Sequence, residues 1–571
     1  MSLPTEKSEE QNRSENSDVG RDAPDPKRWL GLGVILFAAF MDLLDVTIVN
    51  VAIPSIQRDI DASYAAIAWI TAGYALAFAA LLITGGRLGD IYGRKRMLLV
   101  GLAGFTAASV VCGIAPEPGV LIGARIVQGA AAALMIPQVL SIVHVSFPKE
   151  ERGKVFGLYG GVAGLAVVLG PVIGGVFVDA DFFGLAWRPI FLVNIPIGVI
   201  TFIAAVAWVR ESKAPDAPRL DIVGVVLATS SVLMLVYPLT QGRELGWPVW
   251  SFVMMVGSLA VLGVFIAYER RLIARGGLPL ISLRLFSTRS FAGGFSVNLL
   301  YSIAYGTFFL MWTLYMQAGL GWSAMRAGLT GLPMFLGFMV TAGMAGTTLT
   351  PKLGRKVLFG GGIVLIAGAL SFFFVGDRYG ADISSWQMVA PLFVFGLGMG
   401  GVVAPVVDFS LNDVPHKDAG SASGVLNTSG QLGTAIGIAL VAVVFLGAIP
   451  GQSGRGIDTV EAKVRQELTA VGVQDVPAQD RVLAGYRACT EDRLGESDPN
   501  DVPESCRKAP AGVPAESAGP VQQVLADAVP EVRAESFSRA FGTGLLYVAG
   551  LFAVMTALMF SLPRTARPQE V

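Results

Sequence analysis

The sequence predicts an all-α polytopic membrane protein of fourteen transmembrane spans, and three observations carry that expectation. Of 571 residues, 53% are hydrophobic and only 15% charged, whereas a soluble domain is about 25% charged. Glycine supplies 69 residues, well above its average share of about 7%, as membrane helices allow. Apolar stretches near the roughly 20 residues needed to cross a bilayer recur from Trp29 to Leu562.

The chain opens on a polar, charged segment, Met1 to Lys27, without the apolar core of a cleavable signal peptide. Residues 1–28 therefore read as a disordered cytoplasmic tail. The spans follow at 29–53, 65–87, 96–114, 119–146, 153–178, 188–210, 220–240, 250–270, 289–317, 323–349, 356–376, 386–411, 417–447 and 538–562. Loops leading from even to odd spans carry nineteen Lys and Arg, and the short odd-to-even loops carry five. The basic loops belong in the cytoplasm. An even number of spans then puts both termini inside and the long segment 448–537 outside.

Span 1 holds two acids, Asp42 and Asp45, in an otherwise apolar run. A charge at mid-bilayer costs about 2.5–3.5 kcal/mol on insertion scales, so it marks a proton or cation site by default. At 1.5 Å per residue the two lie about 18 and 22 Å into the span, in the central to far part of a core about 30 Å thick. Three residues apart, they share one broad face. A carboxyl there can take a proton from one side and release it to the other, and a cationic substrate can compete for its charge. For Asp42, a merely tolerated buried carboxyl stays open.

Between spans 2 and 3 runs GRLGDIYGRKR, Gly86 to Arg96. Its glycines allow a tight turn and close helix approach, and Asp90 with the basic run can form a charge network at the mouth. Span 4 carries Arg125 and Gln128 in ARIVQG. An intramembrane arginine needs a partner, unless it snorkels to the interface. Span 5 carries Gly170, Pro171, Gly174 and Gly175, a small-residue face that lets helices pack closely and kink.

These segments resemble the major facilitator superfamily. Gly86, Asp90, Gly93, Arg94 and Lys95 match its signature loop G-x-x-x-D-R-x-G-R-K, with Ile91 in place of the usual Arg. Arg125, Gln128 and Gly129 resemble the R-x-x-Q-G motif of proton-coupled members, and Gly170, Pro171, Gly174 and Gly175 the antiporter motif G-P-x-x-G-G. LLDVTIVNVAIP, with Asp45, Thr47, Asn50 and Pro54, and WRPIFLVNIPIG, with Trp187, Arg188, Phe191, Asn194, Pro196 and Gly198, are similar to the fourteen-span drug:proton antiporters of the EmrB/QacA type.

The resemblance implies a major facilitator fold: two six-helix bundles, 29–210 and 276–571, built from inverted repeats, with two inserted helices at 211–275. The loop TPKLGRKVLFGGG, a basic cluster entering an apolar helix, echoes the first signature loop without its acid. The function implied is proton-coupled export of lipophilic, cationic drugs or antibiotics by alternating access. Asp42, Asp45, Arg125 and Gln128 would couple protons and substrate, with Asp45 the leading acid. Gly86, Asp90, Gly93, Arg94 and Lys95 would gate. Asp90 is expected to face the start of span 13, near Lys417–Gly420. Export of an endogenous lipid, siderophore or metabolite is the alternative, and a non-transporting scaffold or receptor a third.

Segment 448–537 contains stretches of helical spacing around a Pro/Gly-rich loop, 495–520, and short amphipathic helices are expected to cap the outer mouth. Cys489 and Cys506 lie in it, on an oxidising side where a disulfide persists. Bridging them would stabilise the loop by about 3 kcal/mol; two free thiols are the other reading. No nucleophile–base set, metal-ligand cluster or phosphate loop is found, so neither an enzyme, a cofactor nor a metal is expected. The expected partners are the bilayer, protons and a small lipophilic substrate, not nucleic acid, with the protein a monomer in the plasma membrane.

Overall fold

In a computed structural model the structure describes residues 27–147, 149–213, 221–242, 245–277, 279–281, 283–414, 419–495, 503–507 and 518–563. The sequence-based tail 1–28 thus falls almost wholly outside them. No strand occurs among the described residues.

The first half comprises α1 (Arg28–Asp59), α2 (Tyr64–Tyr92), α3 (Arg94–Gly113), α4 (Pro118–Ser146), α5 (Lys149–Ala180) and α6 (Pro189–Trp208). A hairpin of α7 (Ile222–Gln241) and α8 (Val249–Ala274) follows. Then come α9 (Arg289–Leu314), α10 (Ala324–Met344), α11 (Lys356–Tyr379), α12 (Ser385–Leu411) and α13 (Ala419–Val441). The chain ends with α14 (Ile449–Ala470), α15 (Val476–Gly495), α16 (Glu504–Arg507) and α17 (Ala518–Leu558).

Thirteen helices are long and apolar enough to cross a membrane among the described residues. The sequence span at 153–178 falls on α5, a continuous helix of 32 residues whose described apolar part is Leu169–Ala180.

Local chemistry sets the boundaries. The Ser63 hydroxyl accepts from Ala66 N at 3.1 Å and caps α2. Pro118 opens α4, where a missing N–H costs nothing. Gly93 turns α2 into α3 at φ 115°, and Gly354 does the same before α11 at φ 56°. A positive φ suits glycine, so the echo between the two basic loops extends to the backbone.

Contacts sort the loops onto two faces. On one, Arg28 pairs with Glu151 at 2.9 Å, Arg87 donates to the Pro279 carbonyl, and Arg355 donates to the Leu562 carbonyl at 2.7 Å. These loops carry most of the Lys and Arg, and we call it the basic face. On the other, Arg188 pairs with Asp59 at 2.6 Å and Met325 N donates to Asp179 at 3.0 Å. The helices α14 to α16 stand on this cap face.

The cores show how the bundles meet. One core joins Ile48–Ile56 of α1 and Ile67–Leu76 of α2 to α9, α12, α13 and α17. Nearer the basic face two cores stay separate. One contains residues of α1 to α6 and their flanks, such as Leu32, Leu98 and Val155; the other contains Phe291, Val425 and Leu426. The bundles are closed together at the cap face.

The cap helices are longer than the short amphipathic helices expected, and the last continues into the span expected at 538–562. α14 and α15 run 22 and 20 residues and share a core of their own with the start of α17, through Val460, Val464, Val482 and Val524. α17 runs 41 residues without a break from the cap into the bundle. Pro530 gives up one backbone hydrogen bond, but its apolar neighbours Ala528 and Val532 are buried and hold the helix in register. Cys489 and Cys506 are disulfide-bonded and pin the end of α15 to α16. Of the predicted loop 495–520, residues 496–502 and 508–517 lie outside the described residues.

Candidate functional site

Five helices of the first half converge on Asp45. The side chain is completely buried, and Arg125 of α4 is only 2% exposed. Arg125 Nη1 donates to Asp45 Oδ2, closing an ion pair. Gln128 Nε2 donates to Asp45 Oδ1 at 2.9 Å, and Asn194 Nδ2 of α6 donates to the same oxygen at 2.8 Å. Arg125 and Gln128 reach one carboxylate because three residues along a helix is nearly one turn. The carboxylate thus has its charge compensated and both oxygens bonded, which a buried ion requires.

An outer ring holds these donors. Arg125 Nη1 also donates to Gln128 Oε1 at 2.6 Å, and its Nε to the Ile70 carbonyl at 3.2 Å. Gln128 Nε2 and Asn194 Nδ2 reach Ser109 Oγ of α3 at 2.9 and 3.4 Å. The Ser109 hydroxyl in turn donates to the Phe105 carbonyl at 2.9 Å. The Arg125 guanidinium lies 4.4 Å from the Tyr74 ring centroid, a cation–π contact that helps replace lost hydration.

Asp42 lies one helical turn from Asp45 but has a different environment. It is 7% exposed, and Tyr74 of α2 donates its hydroxyl to Asp42 Oδ1. The two acids therefore differ in kind. Asp45 is locked into an arginine pair, while Asp42 has a neutral partner.

The predicted gating residues also come together. Arg94 donates to Asp90 Oδ1 through Nε at 3.2 Å and Nη2 at 2.8 Å. Lys95 Nζ reaches the Val206 carbonyl at 2.7 Å, near the end of α6, where a cation is favoured. Glu211, not singled out in the sequence, accepts from Lys95 N at 3.1 Å and Arg96 N at 3.2 Å, capping α3. A Cβ on Gly86 would make only an ordinary contact with Pro137, so close packing does not demand that glycine. Of the helix start expected to donate to Asp90, Lys417–Gly420, residues 417 and 418 lie outside the described residues.

In α5, Gly170 faces the Thr47 side chain, Gly174 faces Ile48, and Gly175 faces the Met325 backbone. The carbonyl of Pro171 abuts Gly328 of α10. The small-residue face is thus used twice, against α1 within the first half and against α10 across the two halves. Asp179, also missed in the sequence, caps the start of α10 from across that boundary. Gln317 Nε2 bonds the Val51 carbonyl at 2.9 Å and adds a second cross-link at the same face.

Other polar residues of the spans are mostly occupied in packing. Gln138 donates to the Gly85 carbonyl at 2.9 Å and Asn50 to the Val46 carbonyl at 2.8 Å. A small cleft of about 190 Å³ opens between α9, α12 and α13, lined by Asn298, Val406, Ser410, Ser423, Leu426 and Asn427. It combines apolar walls with amide and hydroxyl groups, and no charged side chain lines it among the described residues.

Comparison with known proteins gives the same architecture. The family model of the Major Facilitator Superfamily matches residues 35–438. The probable actinorhodin transporter of Streptomyces coelicolor is 44% identical over 548 residues, covering 96% of this chain and 94% of that protein. The puromycin resistance protein of Streptomyces alboniger is 33% identical over 428 residues, covering 74% and 83%. Among solved structures, a bacterial homolog of the human lysosomal transporter Spinster, in an inward-facing and occupied conformation, aligns with a TM-score of 0.54. That alignment has 14% identity and covers 94% of this chain and 98% of the other, a likeness of fold alone. A family match spanning most of the membrane helices, with a relative 44% identical along nearly the whole chain, establishes that this protein belongs to the Major Facilitator Superfamily of multi-pass membrane transporters.

Proposed function

We propose that the protein is a proton-coupled exporter of lipophilic drugs or antibiotics, working by alternating access. The observation that carries the reading is the buried Asp45–Arg125 pair with Asp42 one turn away. Asp45 is matched by Arg125, and a second carboxylate stands one turn away, so ionising Asp42 gives the site a net negative charge that a proton or a cationic substrate can neutralise. Relatives named for the transport of actinorhodin and for resistance to puromycin support an antibiotic as cargo. The cleft beside Asn298 and Asn427 suits the uncharged part of such a molecule.

In this reading residues 29–210 and 276–571 are the two moving bundles, and 211–275 is the inserted hairpin. The basic face is cytoplasmic, with both termini, in the plasma membrane. The cap and its disulfide then face the oxidising exterior. Closure at the cap face makes the present conformation inward-facing. The protein works as a monomer.

The test uses purified protein in liposomes with a pH-sensitive dye inside and an imposed proton gradient. Lipophilic cations are added first, then neutral and anionic antibiotics. Proton movement that depends on the compound and vanishes in Asp45→Asn is the expected result. Full movement in Asp45→Asn would overturn the assignment of Asp45. No movement with any compound would overturn the drug reading in favour of an endogenous metabolite.

A further inference from the structure

The ionised Asp45 is surrounded by donors, and a protonated Asp45 needs an acceptor. Arg125 Nη1, Gln128 Nε2 and Asn194 Nδ2 all donate to the carboxylate. The acceptors beside it are mostly engaged. Gln128 Oε1 takes a bond from Arg125 at 2.6 Å, and Ser109 Oγ receives Gln128 at 2.9 Å. One is not: Asn194 Oδ1 is buried with no hydrogen-bond partner, in a side chain that is itself completely buried. Such an orphan is uncommon and carries a cost.

We propose that Asn194 is the positioning residue that lets Asp45 exchange its proton, by turning its amide to accept from the acid form. The inference rests on the reading of Asp45 as the coupling acid. Rotation about the last side-chain torsion of an asparagine is broad and nearly two-fold, so it exchanges Oδ1 and Nδ2 without moving the helix. In the ionised state Nδ2 donates to Asp45 Oδ1 at 2.8 Å. A proton from the outer water binds that oxygen, the amide turns, and Asn194 Oδ1 accepts the new O–H. When the proton leaves to the inside, the amide turns back.

One end of the amide has no bond to Asp45 in either orientation; turning it gives up the 3.4 Å contact of Nδ2 with Ser109 Oγ, and the charge on Asp45 decides between the two. Arg125 keeps the Ile70 carbonyl and Gln128 Oε1 throughout. The other charged and titratable groups facing the site are Asp42 of α1, Tyr74 of α2 and Cys112 of α3, with Tyr159 of α5 facing Asp42. None of these four side chains is hydrogen-bonded to Asp45.

Infrared difference spectra of the full-length protein in liposomes, recorded across neutral pH, read the carboxyl directly. The wild type should show a carbonyl band of a hydrogen-bonded carboxylic acid that appears on acidification and is absent in Asp45→Asn. In Asn194→Leu that band should move to higher wavenumber, the position of an acid that donates no hydrogen bond. Asn194→His places a nitrogen at the same distance from Cβ that donates or accepts by exchanging tautomers, and should return the band toward its wild-type position. Asn194→Val gives the same reading if the Leu variant does not fold.

A band that is lost in Asp45→Asn but unmoved in Asn194→Leu and Asn194→Val overturns the role of Asn194 and leaves Asp45 as the coupling acid. The absence of any band sensitive to Asp45→Asn overturns both.

Discussion

Asp45 and Arg125 stand 80 positions apart in the chain and form an ion pair that solvent barely reaches. Breaking such a pair from one side leaves an uncompensated charge, at a cost of about 3–5 kcal/mol. Arg125→Leu should therefore unfold at a markedly lower temperature than wild type. The double variant Asp45→Leu/Arg125→Leu should recover most of that stability and none of the compound-driven proton movement. Thermal unfolding in detergent and the liposome assay separate the two effects; recovery of both would remove the pair from the mechanism.

Asp42 is expected to set charge preference. Asp42→Asn keeps an oxygen for the Tyr74 hydroxyl and removes one negative charge. Transport of a lipophilic cation should fall about tenfold in kcat/KM, equal to about 1.4 kcal/mol. Neutral compounds of similar size should keep their rate. Equal losses for both classes would make Asp42 a structural acid.

Closure at the cap face depends in part on Asp179 at the start of α10. A lost helix cap is worth about 0.5–2 kcal/mol, enough to shift an opening equilibrium by up to about 30-fold. Asp179→Ala should raise the labelling rate of a buried Ala327→Cys by a membrane-impermeant thiol reagent. The background is low, because Cys112 is buried and Cys489 is bonded to Cys506. An unchanged rate would show that the α5–α10 contact closes the face without this cap.

Replacing both Cys489 and Cys506 by serine should loosen the cap by about 3 kcal/mol of local stability. Protease should then cut between 448 and 530 faster, while liposome transport persists. Loss of transport with an intact membrane domain would make the cap part of the transport cycle.

The charged half of the site was legible because charge in an apolar span is costly and therefore conspicuous: Asp42, Asp45, Arg125 and Gln128 meet as expected. Ser109 was not, and Asn194 stood out only as part of a family-like segment and not as a partner of Asp45, since uncharged polar residues are cheap in membrane helices and turn up in ordinary packing. The roles of Asp179 and Glu211, at the ends of spans, depend on partners in distant segments, which no local pattern encodes. The continuity of α17 was hidden for a related reason: the helical spacing around Pro530 was visible, but only packing against α14 and α15 shows one helix running unbroken into the span expected at 538–562.

That unbroken α17 gives the molecule a lever. Its 41 residues make a rod about 60 Å long at 1.5 Å per residue. Any rocking of the bundle at its lower end must swing the cap at its upper end, and a tilt of about 10° would carry the tip about 5 Å for a projecting arm of about 30 Å. In the proposed alternating-access cycle the cap is thus a pointer fixed to one rocking bundle, and a fluorophore attached there would trace each turnover at a distance from Asp42 and Asp45.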